Sequence, residues 1–513
     1  MTGVAPPQGA RRAPVISALV LADRDTVHPA AAQAVLTDEH DHGVVLIELR
    51  LTPGTDPESV KAQFQELFAR VFRADKVPAP VPIGRHYMRC VLTPDQVERL
   101  VRGGSRSAGT KSAQEAIGLI YHVWPDLVVH AHTDQSLTTI KADAALRTYN
   151  CGGTDVVWGV LDSGIDASHP HFALNVNLCA DAVKNLHRDF TIATSPGSTP
   201  APLVDTFGHG THVAGIIAGA APADAATLRV ATNQPTAQGL PQWASRTLAA
   251  GTCLSGVAPK ANLVSLKVLD DNGKTLSSVI IDALDYVRTV NSYGRDMQIH
   301  GVNLSLGCGW LPRDYAAGQS PLCRELDLLV GSGVVAVVSA GNSGAGSASA
   351  GLGAITGMTS DVYGQLSTIT DPGNAADAIT VGSVHRSRPH TYGITFDSSK
   401  GPTLDGRSKP DLVAPGERIT SAATGLLAQG VPPLTSAAGD PQDLARYIED
   451  SGTSMAAAHV SGTIAAFLSA RREYIGQPQM IKQLLLDTAT DLGRHEFFQG
   501  AGLVDLMRAL SGT

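Results

Sequence analysis

Five stretches of seven to nine mostly apolar residues constrain this chain more than any other feature: "VVWGVLDSG" (156–164), "NLVSLKVLD" (262–270), "GVNLSLG" (301–307), "VVAVVSAGN" (334–342) and "AITVGSV" (378–384). A strand with one wet face alternates apolar and polar residues, whereas a strand buried on both faces reads as a continuous apolar run. Helical segments separate the runs: "LSSVIIDALDYVRTV" (276–290), "CRELDLLVGSG" (323–333) and "TSMAAAHVSGTIAAFLSA" (453–470). Buried strands alternating with helices predict an α/β fold, a doubly wound parallel sheet flanked by helices. This domain is expected to occupy 133–513, with insertions at 222–252, 344–366 and 422–448.

The first 130 residues have a different texture. Residues 1–42 are rich in Pro and Ala and read as a disordered lead-in. In "VVLIELRL" (44–51), Ile47, Leu49 and Leu51 fall on one side and Glu48 and Arg50 on the other, a strand with one buried face. Asp56 then caps a helix with Pro57 at its first position, and Val60, Phe64, Leu67, Phe68 and Val71 make its apolar stripe. A strand at 86–93, a capping box at Thr93–Gln96 and a strand within 119–132 complete a small ferredoxin-like α+β domain over 43–132.

A net charge of −8 argues against a nucleic-acid binder, whose footprint is basic. No apolar run approaches the roughly 18 residues of a membrane span. The six cysteines show no CxxC spacing, which disfavours a structural zinc site. Cys308 and Cys323 flank a short loop and would be able to pair in an exported protein. Arg11 and Arg12 precede only a short apolar stretch broken off by Asp23, so the start of the chain gives no clear signal peptide. The expected location is therefore the cytoplasm rather than the exterior.

Two histidines three apart in "FGHGTHVAGIIAG" (207–219) raise the question of metal or base. A hydrolytic metal pair of the HExxH kind would bring its own glutamate, and here only Gly and Thr intervene. His212 reads as a packed structural imidazole. As a base, His209 needs a carboxylate to orient it and a hydroxyl to activate. Asp162 stands where the first apolar run ends, and functional groups of open α/β sheets gather at such carboxyl ends. Ser454 opens the small-residue helix, with its own N–H unpaired at the positive end of the helix dipole. Asn342, after Gly341 at the end of another run, is placed to stabilise an oxyanion together with that N–H.

These motifs resemble those of the subtilisin-like serine proteases: "VLDSGIDASHP" at Asp162, "GHGTHVAG" at His209, "SAGN" at Asn342 and "GTSMA" at Ser454. The resemblance extends from about Ile140 to the C-terminus. It implies a serine endopeptidase needing no cofactor for its chemistry and acting on proteins or peptides, with no nucleic-acid or membrane partner. It also implies that 43–132 is a propeptide that inhibits the mature site and assists folding, with self-cleavage near His132. Extended substrate is expected to pair with an edge formed by Ser305, Leu306 and Gly307, beside Gly341, and with a second edge at Lys274–Ser277. The family's Pro before "HV" is Ala458 here. Its calcium-binding Asp after "HP" is His171, so that calcium site is not expected; other calcium sites stay open. Thr370-Asp371 fall at the pocket floor, which implies either a shallow pocket or one that prefers basic residues. Two rivals share the motifs: a transpeptidase or macrocyclase with the same triad, and a permanently capped binding scaffold.

Overall fold

The computed structural model describes residues 43–51, 55–83, 87–101, 119–125, 136–191, 199–221, 228–235, 241–248, 254–309, 316–347, 362–429 and 446–512. They form two compact units, meeting in sequence near Val129. The expected cleavage point at His132 lies outside the described residues, as do the whole of the expected lead-in (1–42) and part of each expected insertion.

In the first unit, Val45, Ile47 and Leu49 of strand β1 (Gly43–Leu49) are buried while Glu48 is half-buried, the alternation that a one-faced strand requires. Helix α1 (Pro57–Val71) begins where Asp56 accepts from the backbone N–H groups of Glu58 and Ser59. Its Phe64, Leu67 and Phe68 pack on that sheet face. Strands β2 (Val81–Ile83) and β3 (Tyr87–Leu92) precede α2 (Pro94–Val101). The reciprocal Thr93–Gln96 capping box closes the start of α2, at 2.9 and 3.2 Å. With β4 (Ile120–Pro125) the sheet order is β4-β1-β3-β2, the ferredoxin-like order for βαββαβ.

The second unit is built on strand β5 (Val157–Asp162), every residue of which is buried. Trp158 and Val160 face one core layer and Val157 and Leu161 the other. The short β6 (Arg188–Asp189), then β9 (Asn262–Lys267), β10 (Gly301–Leu304), β11 (Val335–Ser339), β14 (Ile379–His385) and β15 (Leu412–Glu417) complete a seven-stranded parallel sheet. Its order is β15-β14-β11-β10-β5-β9-β6. From β5 the chain moves to β9 on one side and then to β10 on the other. Asp162 therefore ends a strand at the reversal, where doubly wound sheets open a crevice.

Helices α3 (His209–Ile217) and α6 (Thr453–Ala470) share one core layer; α4 (Ser277–Val290) and α5 (Pro321–Gly331) share the other. The small residues of α6 let it run through the interior, buried along almost its whole length. All three of the expected insertions contain ordered structure. Strands β7 (Arg229–Pro235) and β8 (Pro241–Thr247) make a hairpin within 222–252. Strand β7 pairs with β17 (Tyr447–Asp450), and β17 with β16 (Ile419–Ala422), to make a second four-stranded sheet. A short antiparallel hairpin, β12 (Ala345–Ser347) and β13 (Val362–Gly364), follows β11 within 344–366.

Candidate active site

Asp162 is fully buried at the end of β5, and His209 is the first residue of α3. The imidazole Nδ1–H donates to Asp162 Oδ1 at 2.8 Å, with Oδ2 at 3.0 Å. Since Nδ1 carries this proton, Nε2 is left as the basic nitrogen. Burial lowers the imidazole's pKa, but the charge and hydrogen bond of Asp162 outweigh it. Asp450 and Asp205 add to that pull, and the ring sits at about 9. Close approach is built into the helix start: a Cβ on Gly210 would lie 2.2 Å from Gly164 O and 3.1 Å from Asp162 Cβ.

A second buried carboxylate, not picked out in the sequence, holds this pair in place. Asp205 Oδ1 accepts from Ser163 Oγ and Gly208 N, each at 2.8 Å. Its Oδ2 accepts from Thr211 N at 2.8 Å and Thr211 Oγ1 at 2.7 Å. Ser163 N donates in turn to Asp162 Oδ1 at 2.8 Å, and Gly210 N to Ser163 Oγ at 3.0 Å. Asp205 thus satisfies orphan donors of the first turn of α3 and links that turn to the loop after β5. Burial raises its pKa, and these donors pull it back. The available signal was a carboxylate four residues before His209 at a helix start.

Ser454 is the second residue of α6. Its hydroxyl donates to Ser305 O at 3.2 Å rather than to His209, while Ser305 Oγ donates to Ser454 O at 2.9 Å. Asn342 follows β11, and its Oδ1 accepts from both Thr453 N and Thr453 Oγ1 at 2.9 Å. Thr453 Oγ1 also accepts from Gly341 N at 3.2 Å. With the carbonyl end engaged, the amide Nδ2 is the free end of this exposed side chain. Thr453 therefore orients Asn342, a role visible only once the two segments meet.

His209 and Ser305 line one cleft of about 480 Å³. The expected substrate edges face it: Leu306 and Gly307 on one side, and Gly273, Lys274, Thr275 and Ser277 on the other. Gly341 stands apart from this lining. The Thr370 hydroxyl lies 2.7 and 2.6 Å from where a Cβ on Gly307 or Gly341 would sit, filling the space between them. Asp371 is buried, with Asn374 Nδ2 donating to it at 2.9 Å.

His212 is buried and its Nε2 donates to Ile448 O at 3.1 Å; burial lowers its pKa. It fits the structural role expected of it, although its Nδ1 has no partner among the described residues. His171 is also buried, its Nε2 bonded to Gly215 O at 3.1 Å and its Nδ1 within 3.4 Å of Tyr447 OH. Burial drives this ring to about 3. A neutral imidazole engaged on both nitrogens does not fit the hard oxygen cage that calcium takes. Among the described residues no cluster of three or more His, Cys, Asp or Glu is placed to hold a metal. Cys308 and Cys323 are both free thiols.

Residues 153–503 match the model of the subtilase family. Subtilisin E of Bacillus subtilis (strain 168) is 28% identical over 393 residues, covering 76% of this chain and 75% of that protein. Serine protease AprX of the same organism is 28% identical over 365 residues, covering 70% and 67%. Pyrolysin of Pyrococcus furiosus is 32% identical over 352 residues, covering 60% of this chain and 22% of its own length. The chain belongs to the subtilase family and is a serine endopeptidase.

Proposed function

We propose that the chain cleaves peptide bonds through an acyl-enzyme on Ser454. His209 Nε2 takes the Ser454 hydroxyl proton as Oγ attacks the scissile carbonyl, and later gives that proton to the leaving amine. Water, deprotonated by the same imidazole, then releases the acyl group and regenerates the serine. Asp162 holds the reactive tautomer and stabilises the imidazolium. Asn342 Nδ2 and the Ser454 N–H, one of the unpaired donors of the first turn of α6, bind the oxyanion. The carrying observation is that His209, bonded to the buried Asp162, lines the cleft that is also lined by Ser305, the hydrogen-bond partner of Ser454. In this reading the serine hydroxyl turns from Ser305 O to His209 as substrate enters. Catalytic hydrogen bonds often tighten only with substrate bound.

Substrate lies extended between the two edges and pairs by its backbone, which gives breadth of sequence. Thr370 between the glycines, with Asp371 buried and engaged by Asn374, favours a shallow pocket for small side chains over a basic-residue pocket. The 43–132 unit acts as intramolecular inhibitor and folding aid until the chain cuts itself near His132. Mass analysis of wild type and Ser454→Ala under activating conditions tests self-processing. The wild type is expected to shorten near His132 while the variant stays full length. A wild type that remains intact yet hydrolyses peptides contradicts self-processing alone. Failure of the wild type to release any peptide fragment contradicts the hydrolytic mechanism.

A further inference from the structure

The segment that carries Asn342 is held by a buried cation as well as by Thr453. Lys400 is 6% exposed, and its ammonium donates to three backbone carbonyls: Gly344 O at 3.0 Å, Phe396 O at 2.9 Å and Ser398 O at 3.0 Å. The ring of Phe498 lies 5.9 Å from the same nitrogen. All three N–H bonds of the ammonium are thus spent on backbone oxygens. Bonds from a charged donor are about twice as strong as neutral ones, and a buried charge is costly unless so satisfied.

Residues 341–344 and 397–400 are laced together around this lysine. Ser399 N donates to Gly341 O at 2.8 Å, Ser343 N to Ser399 Oγ at 3.1 Å, and Gly344 N to Asp397 O at 2.9 Å. Gly344 is at the tightest point, where a Cβ would lie 1.9 Å from Ser398 O and 2.4 Å from the ammonium. Immediately beyond it the chain leaves as the β12–β13 hairpin. Lys400 therefore fixes the base of that hairpin two residues from Asn342. Without it, the segment's hold on 397–400 rests on neutral hydrogen bonds.

We infer that Lys400 is a positioning residue for the oxyanion donor: by pinning Gly344 O it holds the Asn342 amide where charge develops on the substrate carbonyl. This rests on the role proposed for Asn342 above. A displacement of about 1 Å in such a group can cost about 10²-fold in rate. The loss would fall on turnover, because the donor acts only once the oxyanion forms.

The test is a double-mutant cycle in the full chain, with turnover expressed per fluorophosphonate-titrated site and folding checked by thermal unfolding. Asn342→Ala is expected to lower kcat by about 10²–10³-fold. Lys400→Met is expected to lower kcat by about 10- to 10²-fold with KM within about twofold. The double variant should be no slower than Asn342→Ala alone, since the lysine acts only through the asparagine. Lys400→Gln, which keeps two N–H donors without the charge, reads the same cycle if the methionine variant does not fold. Unchanged kcat in the Lys400 variants, or losses that multiply in the double variant, overturns the inference. So does a chain that folds with lysine alone at this position, which makes Lys400 an element of the fold. Unchanged turnover in Asn342→Ala is a separate failure, that of the oxyanion reading itself.

Discussion

Replacing Asp205 by Asn changes one oxygen and tests whether a second buried carboxylate organises the site. The carboxylate receives two donors on each oxygen, and one of each pair is a backbone N–H, from Gly208 or Thr211. An asparagine amide accepts on one side only. The hydroxyls of Ser163 and Thr211 can rotate away, but one backbone N–H must then face an NH2 group. An orphaned buried donor costs about 1–3 kcal/mol, which lowers Tm by roughly 1–4 °C for a unit of this size. The charge has a second effect. Asp205 helps raise the pKa of His209, so its removal lowers that value from about 9. Because the base must be neutral to accept the serine proton, kcat/KM rises with pH through the pKa of the imidazole. The wild-type midpoint is therefore expected near pH 9, and that of Asp205→Asn lower. The plateau should also fall, because the first turn of α3 is no longer held. Thermal unfolding, together with kcat/KM from pH 6 to 11, reads all three quantities. A variant with the wild-type Tm, midpoint and plateau would refute the role given to Asp205.

Two further perturbations probe other parts of the molecule. Thr370→Gly removes the side chain wedged between Gly307 and Gly341 and should shift cleavage from small towards large residues before the scissile bond; peptide libraries profiled on both proteins check this. His459 is buried, donating from Nδ1 to Met455 O at 2.8 Å, and burial lowers its pKa to about 4. A histidine held below its unfolded value near 6.5 contributes stability above that pH and loses it as pH falls towards 4. His459→Gln should therefore flatten the fall in Tm over this window.

The parallel sheet was legible because burial on both faces leaves continuous apolar runs, and helix α6 begins and ends where its small-residue pattern does. The caps at Asp56 and Thr93 were legible because their partners lie within three residues. Strand β15 was not, since Pro415 and Gly416 interrupt "LVAPGE"; proline is tolerated there because β15 is the sheet edge. Strands β7, β8, β16 and β17 are short or polar, and they become one sheet only because β7 pairs with β17, some two hundred residues apart, which no local pattern encodes. The same limit applies within the site. Asp162, His209, Asn342 and Ser454 each stand at an element end within two residues of a glycine, a visible mark. Asp205 and Thr453 act through contacts with distant residues, and Lys400 looks like a surface cation until its three carbonyls are in place.

The central claim is that Ser454 becomes a nucleophile because His209, held by Asp162, accepts its proton. Fluorophosphonate labelling of the active protein, with the adduct located by peptide mass mapping, tests it most directly. The account predicts one adduct, on Ser454, abolished in Ser454→Ala and slowed by orders of magnitude in His209→Ala. An adduct on another serine, or equally fast labelling of Ser454 without His209, would contradict it.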